Sequence, residues 1–299
     1  MVDVRPPHEA LYHYRCEFDA FGLMHRFARR DVAAHPDHVT NFLGVRIPTV
    51  VHPPVLDRLK GRVEPVPDPG NWHADIAEWG AALRSVEQTR GDTYLIVELG
   101  CGWGCWLVNM GSAARDRGLK VDLIGVEGDA HHLENARAVL ELNGFGAQQF
   151  TLHHGIAAPR PGKAIFPRHD RGASDWGGQA IFDPDAPTLA RAARDPAVQV
   201  LDCFTLARLS GDRAIDLLHI DIQGAELDFV RGNMASLTRL VRRVLIGTHS
   251  RFIEGSLMEH FLAAGWRLEM DRPVIYRVSG GRPVLDIDGV QMWANPALT

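Results

Sequence analysis

The chain has 299 residues, 45% of them hydrophobic, with a formal charge of −5, which allows one large core or one core with an extension and gives no general pull toward nucleic acid or anionic lipid. Four scattered cysteines, Cys16, Cys101, Cys105 and Cys203, complete no zinc pattern and point to a reduced, cytoplasmic protein. The opening MVDVRPPHEA lacks the basic start and apolar stretch of a secretory signal, and no run approaches the roughly 18 apolar residues of a membrane span.

Residues 1–92 read as a helical, proline-rich extension. Within it IPTVVHPPVLDRLKGRVEPVPDPG precludes a long regular element. The following NWHADIAEWGAALRSVEQTR sets Trp72, Ile76, Trp79, Leu83 and Val86 at helical spacing, with Asn71 placed to cap. From Thr93 onward apolar strand-like runs alternate with helical patterns. TYLIVELG precedes a helix from Gly104 to Arg117, VDLIGVEG precedes one from Ala130 to Leu142, and QFTLHHGIAA follows. Later come AIDLLHIDI, a helix from Gly224, RRVLIGTHS, a helix around GSLMEHFLAAG, and WRLEMDRPVIYRV. Such alternation predicts a Rossmann-like, doubly wound, mostly parallel sheet over 93–299, buried on both faces. Residues 159–200 break the pattern with Pro, Gly, Asp and Arg, as an insertion that covers an active site would.

The stretch VELGCGWG ends the first strand of that sheet, where open parallel sheets bind ligands. Gly100, Gly102 and Gly104 allow positive φ and close approach of a ligand to the backbone, with Cys101 and Trp103 between them. Trp103 either flanks a ligand or packs on the N-terminal helix. A dinucleotide fingerprint needs its third small residue at position 105, which is Cys105. Glu98, just before the turn, suits an ammonium group better than a pyrophosphate. In GVEGD, Glu127 ends the next strand, followed by Gly128, and can accept hydrogen bonds from both hydroxyls of a ribose; Asp129 is placed to cap the next helix. His154 and Gly155, in LHHGIAA, close the third strand beside the pocket. The spacing E-x-G-x-G-x-G with an acid on the following strand resembles the first motif of class I S-adenosylmethionine-dependent methyltransferases.

In DLLHIDIQGAELDFV, alternation puts Leu217, His219 and Asp221 on one face, with Asp221 at the strand's end. VLIGTHS brings His249 to the corresponding tip of the next strand. This pair can handle a proton or coordinate a divalent ion such as Mg, with Glu226 as a third donor. With a reference pKa of ~6.5, His249 is a candidate base near neutral pH. His219, mid-strand, reads as a core histidine, and Glu226 as a carboxylate meeting a helix dipole. Trp176, in SDWGG, is a candidate stacking residue in the insertion.

HIDIQGAELDFV resembles the I-D-x-E-G-x-E signature of the FkbM methyltransferase family. VELGCGWG, GVEGD, DLLHIDIQGAE and IGTHS…IEG stand in that family's order, and DGVQMWANP is similar to the tail of some bacterial members. Gln223 departs from the signature, standing where many members have Glu. The resemblance implies a seven-stranded class I fold and O-methyl transfer from S-adenosylmethionine to a hydroxyl of a sugar, polysaccharide or secondary metabolite. For that transfer His249 is the candidate base, and Asp221 is the candidate to orient it, to contact the cofactor's methionine amine or to bind the ion. The partner is a small-molecule or glycan acceptor, with no nucleic acid or membrane, in a monomer or homodimer. The alternatives are an N-methyltransferase, a nicotinamide-dependent oxidoreductase on the same layered sheet, and a non-catalytic cofactor-binding protein.

Overall fold

The computed structural model describes residues 9–168 and 177–299. Its central sheet is built from β1 (Arg15–Cys16), β2 (Thr93–Leu99), β3 (Lys120–Glu127), β4 (Phe150–His154), β5 (Ile215–Ile220), β6 (Val241–Thr248), β7 (Arg267–Arg272) and β8 (Gly289–Ala294). They lie in the order β1-β7-β8-β6-β5-β2-β3-β4. From β4 across to β6 all neighbours are parallel, whereas β8 runs antiparallel between β6 and β7. Seven of these strands were expected; the eighth, β1, is two residues long and pairs antiparallel with the edge strand β7.

The parallel strands are apolar on both faces because both are covered. Ile96, Leu217 and Leu245 belong to one core with Trp79, Leu83 and Leu107, while the next residues along each strand, Val97, Leu218 and Ile246, belong to another with Phe229 and Leu257. Period-two alternation therefore sorts each strand's side chains between two helical layers. The first layer contains α1 (Ala20–Phe27), α2 (Ile76–Glu87), α3 (Cys105–Asp116) and α4 (Ala130–Leu142); the second contains α5 (Glu226–Leu240) and α6 (Arg251–Ala263). Among the described residues no helix is long and apolar enough to cross a membrane.

The cap of α2 is not Asn71. Asp75 caps it through a capping box, with Asp75 Oδ1 accepting from Ala77 N and Glu78 N, and Glu78 Oε2 accepting from Asp75 N. Asn71 Oδ1 instead closes a turn on His73 N and Ala74 N, so Trp72 lies outside the helix. The sequence D-x-x-E carries this signal and outweighs the apolar spacing that put Trp72 inside. The segment before residue 93 joins the same core as the sheet, since α2 contributes Trp79 and Leu83 to it.

Much of the 159–200 stretch is regular. Lys163–Pro167 pairs antiparallel with Val198–Phe204 and with Ile181–Phe182, and Ile156–Ala157 completes this second, four-stranded sheet. Ala186–Ala192 is a short helix within it. These strands are too short and too far apart in sequence to show a period. Trp176 lies outside the described residues.

Candidate active site

The winding of the sheet reverses between β2 and β5, so the crevice at their carboxyl ends is the place where an open α/β sheet takes a ligand. A cavity of about 370 Å3 lies there, within the usual range for small-molecule sites. Gly100, Gly102, Glu127, Gly128 and Gly155 line it from the β2–β4 side, Asp221 to Ala225 from the loop after β5, and Phe166, Gln179, Ala180 and Phe182 from the insertion.

Three glycines of the β2–α3 turn have positive φ: 71° at Gly100, 50° at Gly102 and 77° at Gly104. What demands the absence of a side chain at Gly100 is the protein itself. A Cβ there would stand 1.9 Å from the carbonyl oxygen of Asp221, so the glycine lets the two strand tips close on each other. At Gly104 a Cβ would press on Ala136 of α4 at 3.2 Å, and this glycine is not on the cavity wall. Gly102 N, by contrast, donates to Glu127 Oε2 at 2.8 Å, and Asp129 N donates to Glu127 Oε1 at 2.8 Å. Two backbone donors thus fix the Glu127 carboxylate at the end of β3 while each oxygen keeps a lone pair for a ligand. Burial raises its pKa despite these donors. Asp129 caps α4, accepting from His131 N and His132 N, as its position in the sequence suggested.

Several expected cofactor contacts stand off the wall. Glu98 is buried and its two oxygens accept from Trp106 N and Leu107 N. Its oxygens satisfy donors of the first turn of α3, so the free N–H groups of a helix start, rather than an ammonium group, hold it. Burial lifts its pKa to about 8. Cys101 is buried beneath the turn, against Gly125. Trp103 stacks on Trp72 at 5.8 Å between centroids, resolving its two readings in favour of packing on the N-terminal segment. His154 places Nε2 3.0 Å from Gly128 O and does not line the cavity. His219 is a core histidine, packed on Trp106, and burial lowers its pKa to about 4.

At the tips of β5 and β6 the structure joins Asp221, His249 and Glu226. His249 Nε2 lies 3.4 Å from Asp221 Oδ1, and His249 Nδ1 lies 3.1 Å from Glu226 Oε1. Asp221 lines the cavity with its side chain 43% exposed; His249 stands behind it at 13%. Burial alone would lower the histidine's pKa, but the two carboxylates override it and raise it to about 11. Asp221 moves the opposite way: burial opposes ionisation, yet His249 holds its pKa below the ordinary value. This environment disfavours a free imidazole base at neutral pH: the two flanking acids favour the protonated ring, and the group presented to the cavity is the Asp221 carboxyl.

Sequence reasoning read residues 159–200 as a cover over the site but missed the residue that ties this insertion down. Gln179 Nε2 donates to Gln223 O at 2.9 Å, tying the insertion to the loop after β5. Gln223 adopts φ 55°, uncommon for a side-chain-bearing residue, and its Nε2 donates to Asp221 Oδ1 at 3.1 Å. The departure from Glu at this position thus replaces a repelling acid by a donor. No sequence pattern announces Gln179.

The strand order, with one antiparallel strand between the last two parallel ones, and a ligand crevice bounded by a glycine turn and Glu127, define a class I methyltransferase fold. A family model for the Methyltransferase FkbM domain matches residues 113–270. A protein of Jannaschia sp. (strain CCS1), which carries a provisional methyltransferase name, is 52% identical over 275 residues, 92% of this chain and 98% of its own length. The chain belongs to the FkbM methyltransferase family and is a methyltransferase. Among solved structures, Methyltransferase FkbM from Methylobacillus flagellatus KT aligns with a TM-score of 0.45 and 13% identity, over 73% of this chain and 54% of that one. Precorrin-6y C5,15-methyltransferase from Geobacter metallireducens GS-15 aligns at 0.39 and 12%, over 71% and 84%. Alignments this loose add nothing to the strand order, which carries the fold.

The fold implies S-adenosylmethionine, and the residues fit it. Glu127 is held by two backbone donors where ribose hydroxyls would donate, and Gly128, Gly155, Ile156 and Phe166 line the cavity beside it.

Proposed function

We propose that the protein transfers a methyl group from S-adenosylmethionine to a hydroxyl oxygen of a sugar-like or secondary-metabolite acceptor. Bound S-adenosylmethionine supplies a methyl group already activated by its sulfonium, so the protein's task is to align the acceptor and receive its proton. The observation that carries the reading is Asp221: a carboxylate whose ionised form the neighbouring His249 favours, facing the cavity. Its Oδ1 accepts from Gln223 Nε2 and lies 3.4 Å from His249 Nε2, which leaves the other oxygen for an acceptor hydroxyl. A carboxylate this acidic does not ionise an alcohol beforehand. It accepts a hydrogen bond, and takes the proton once the forming carbon–oxygen bond has made that proton strongly acidic. A neutral amine needs no such group. His249 and Glu226 act as positioning residues behind Asp221, and a reducing, cytoplasmic setting suits the four free cysteines.

The test is methyl transfer from labelled S-adenosylmethionine to panels of hydroxylated and amine acceptors, with wild type and Asp221→Asn. On a hydroxyl acceptor the variant should lose roughly 10²–10⁴-fold in kcat while keeping its affinity for S-adenosylhomocysteine. Turnover confined to amines, or an unchanged kcat in Asp221→Asn, refutes O-methyl transfer as drawn.

A further inference from the structure

We propose that Asp221, Glu226 and His249 form a binding site for a first-row divalent cation at the edge of the cavity. One oxygen or nitrogen from each lies within 4.8 Å of the others, and the three come from two strand tips and the first turn of α5. Proximity of acids and a histidine would not suffice, but the hydrogen bonding of the cluster is incomplete in a specific way. Both ring nitrogens of His249 stand at contact distance from carboxylate oxygens, yet neither makes an aligned hydrogen bond among the described residues. Glu226 is 0% exposed, and its Oε2 has no donor among the described residues. A buried carboxylate oxygen without a donor is costly, and a cation bound by this carboxylate and the misaligned ring would offset that cost.

The surroundings hold these donors as outer partners hold metal ligands. Glu226 Oε1 accepts from Ile222 N at 3.1 Å and Gly224 N at 3.0 Å, and Asp221 Oδ1 accepts from Gln223 Nε2. One imidazole, whose ring proton is released to solvent as the ion enters between it and the acids, and two carboxylates make a mixed nitrogen and oxygen set. That set suits Mn2+ better than Mg2+ or Ca2+, which favour oxygen alone. Asp221 also faces the cavity, so the ion's open side would meet an acceptor oxygen; this part rests on the methyl-transfer reading, while the binding site itself does not.

The experiment is titration of Mn2+ alone into the chelator-stripped full chain, followed by calorimetry and by the loss of free-ion signal in electron paramagnetic resonance. Wild type should bind one ion per chain. His249→Ala and Glu226→Gln should each weaken binding by more than the roughly 10–100-fold that losing an outer-shell partner costs, and Mg2+ should compete poorly. Circular dichroism checks both variants, and if Glu226→Gln does not fold, His249→Ala decides. Absence of Mn2+ binding in wild type, or unchanged binding in His249→Ala, overturns the proposal. Calorimetry with S-adenosylhomocysteine on the same samples separates the two claims. If the nucleoside binds and Mn2+ does not, only the ion site is lost; if the nucleoside does not bind, the transfer reading fails whatever Mn2+ does.

Discussion

The β2–β4 half of the crevice and the β5–β6 half are built on different principles. On the first side backbone geometry does the work: left-handed glycines and two N–H groups that fix one carboxylate, Glu127. On the second side the work is done by side chains whose polar atoms are brought together and left unsatisfied, at His249 and Glu226. A half fixed through backbone donors is suited to holding a constant ligand. An unsatisfied half stores interactions for whatever completes it.

That contrast can be broken, beginning with the closure between the halves. Gly100→Ala pushes a Cβ into the Asp221 carbonyl and forces a left-handed φ on alanine. It should cost about 2–5 kcal/mol of stability in chemical denaturation, whereas the same change at Gly255 of α6, with nothing within 4 Å of the added Cβ among the described residues, should carry no cost. Glu127→Ala removes the acceptor for Gly102 N and Asp129 N as well as for a ribose. Calorimetry should then find S-adenosylhomocysteine bound about 100-fold more weakly, charge-assisted hydrogen bonds being worth ~1.5–3 kcal/mol each. An affinity within threefold of wild type would remove the carboxylate from the cofactor's environment.

The pH dependence of Glu98 sharpens the comparison further. Burial lifts its pKa from 4.5 to about 8, so its contribution to stability is complete below the lower value and is lost as pH rises through the upper one. Glu98→Gln cannot titrate. The difference in Tm, variant minus wild type, should therefore increase between pH 4.5 and pH 8, and a flat difference would mean that the carboxyl is ionised throughout. The smallest effect belongs to Gln179→Ala, which deletes one hydrogen bond to the loop after β5. With ~0.5–1.5 kcal/mol at stake, KM for the cofactor should rise about two- to tenfold with kcat nearly unchanged.

How far the sequence could be read follows the same division. Local rules govern the first half: β2, β3 and the helices after them come from unbroken periodicity, and Glu127 and Asp129 are set by distance along the chain. The second half was legible only as identities. That Asp221 and His249 meet follows from their places at neighbouring strand tips, but the protonation of His249 depends on Glu226 closing from α5, and this is a packing outcome. Glu98 was misjudged for a related reason, since the carboxylate that points at an incoming ligand in a linear reading turns back onto the N–H groups of α3. The insertion hid Gln179 because short strands pairing across some 35 residues leave no period to detect.

Arg272 of β7 reaches Asp75 with Nε 2.6 Å from Oδ2, both groups buried. Severing the chain ahead of β2 would strand that guanidinium without its counter-charge and uncover the sheet face beneath Trp79. Grafting the 113–270 block of one family member onto another is therefore an exchange of parts from a single mechanical unit, and hybrids should prosper only when the leading ninety residues travel with it.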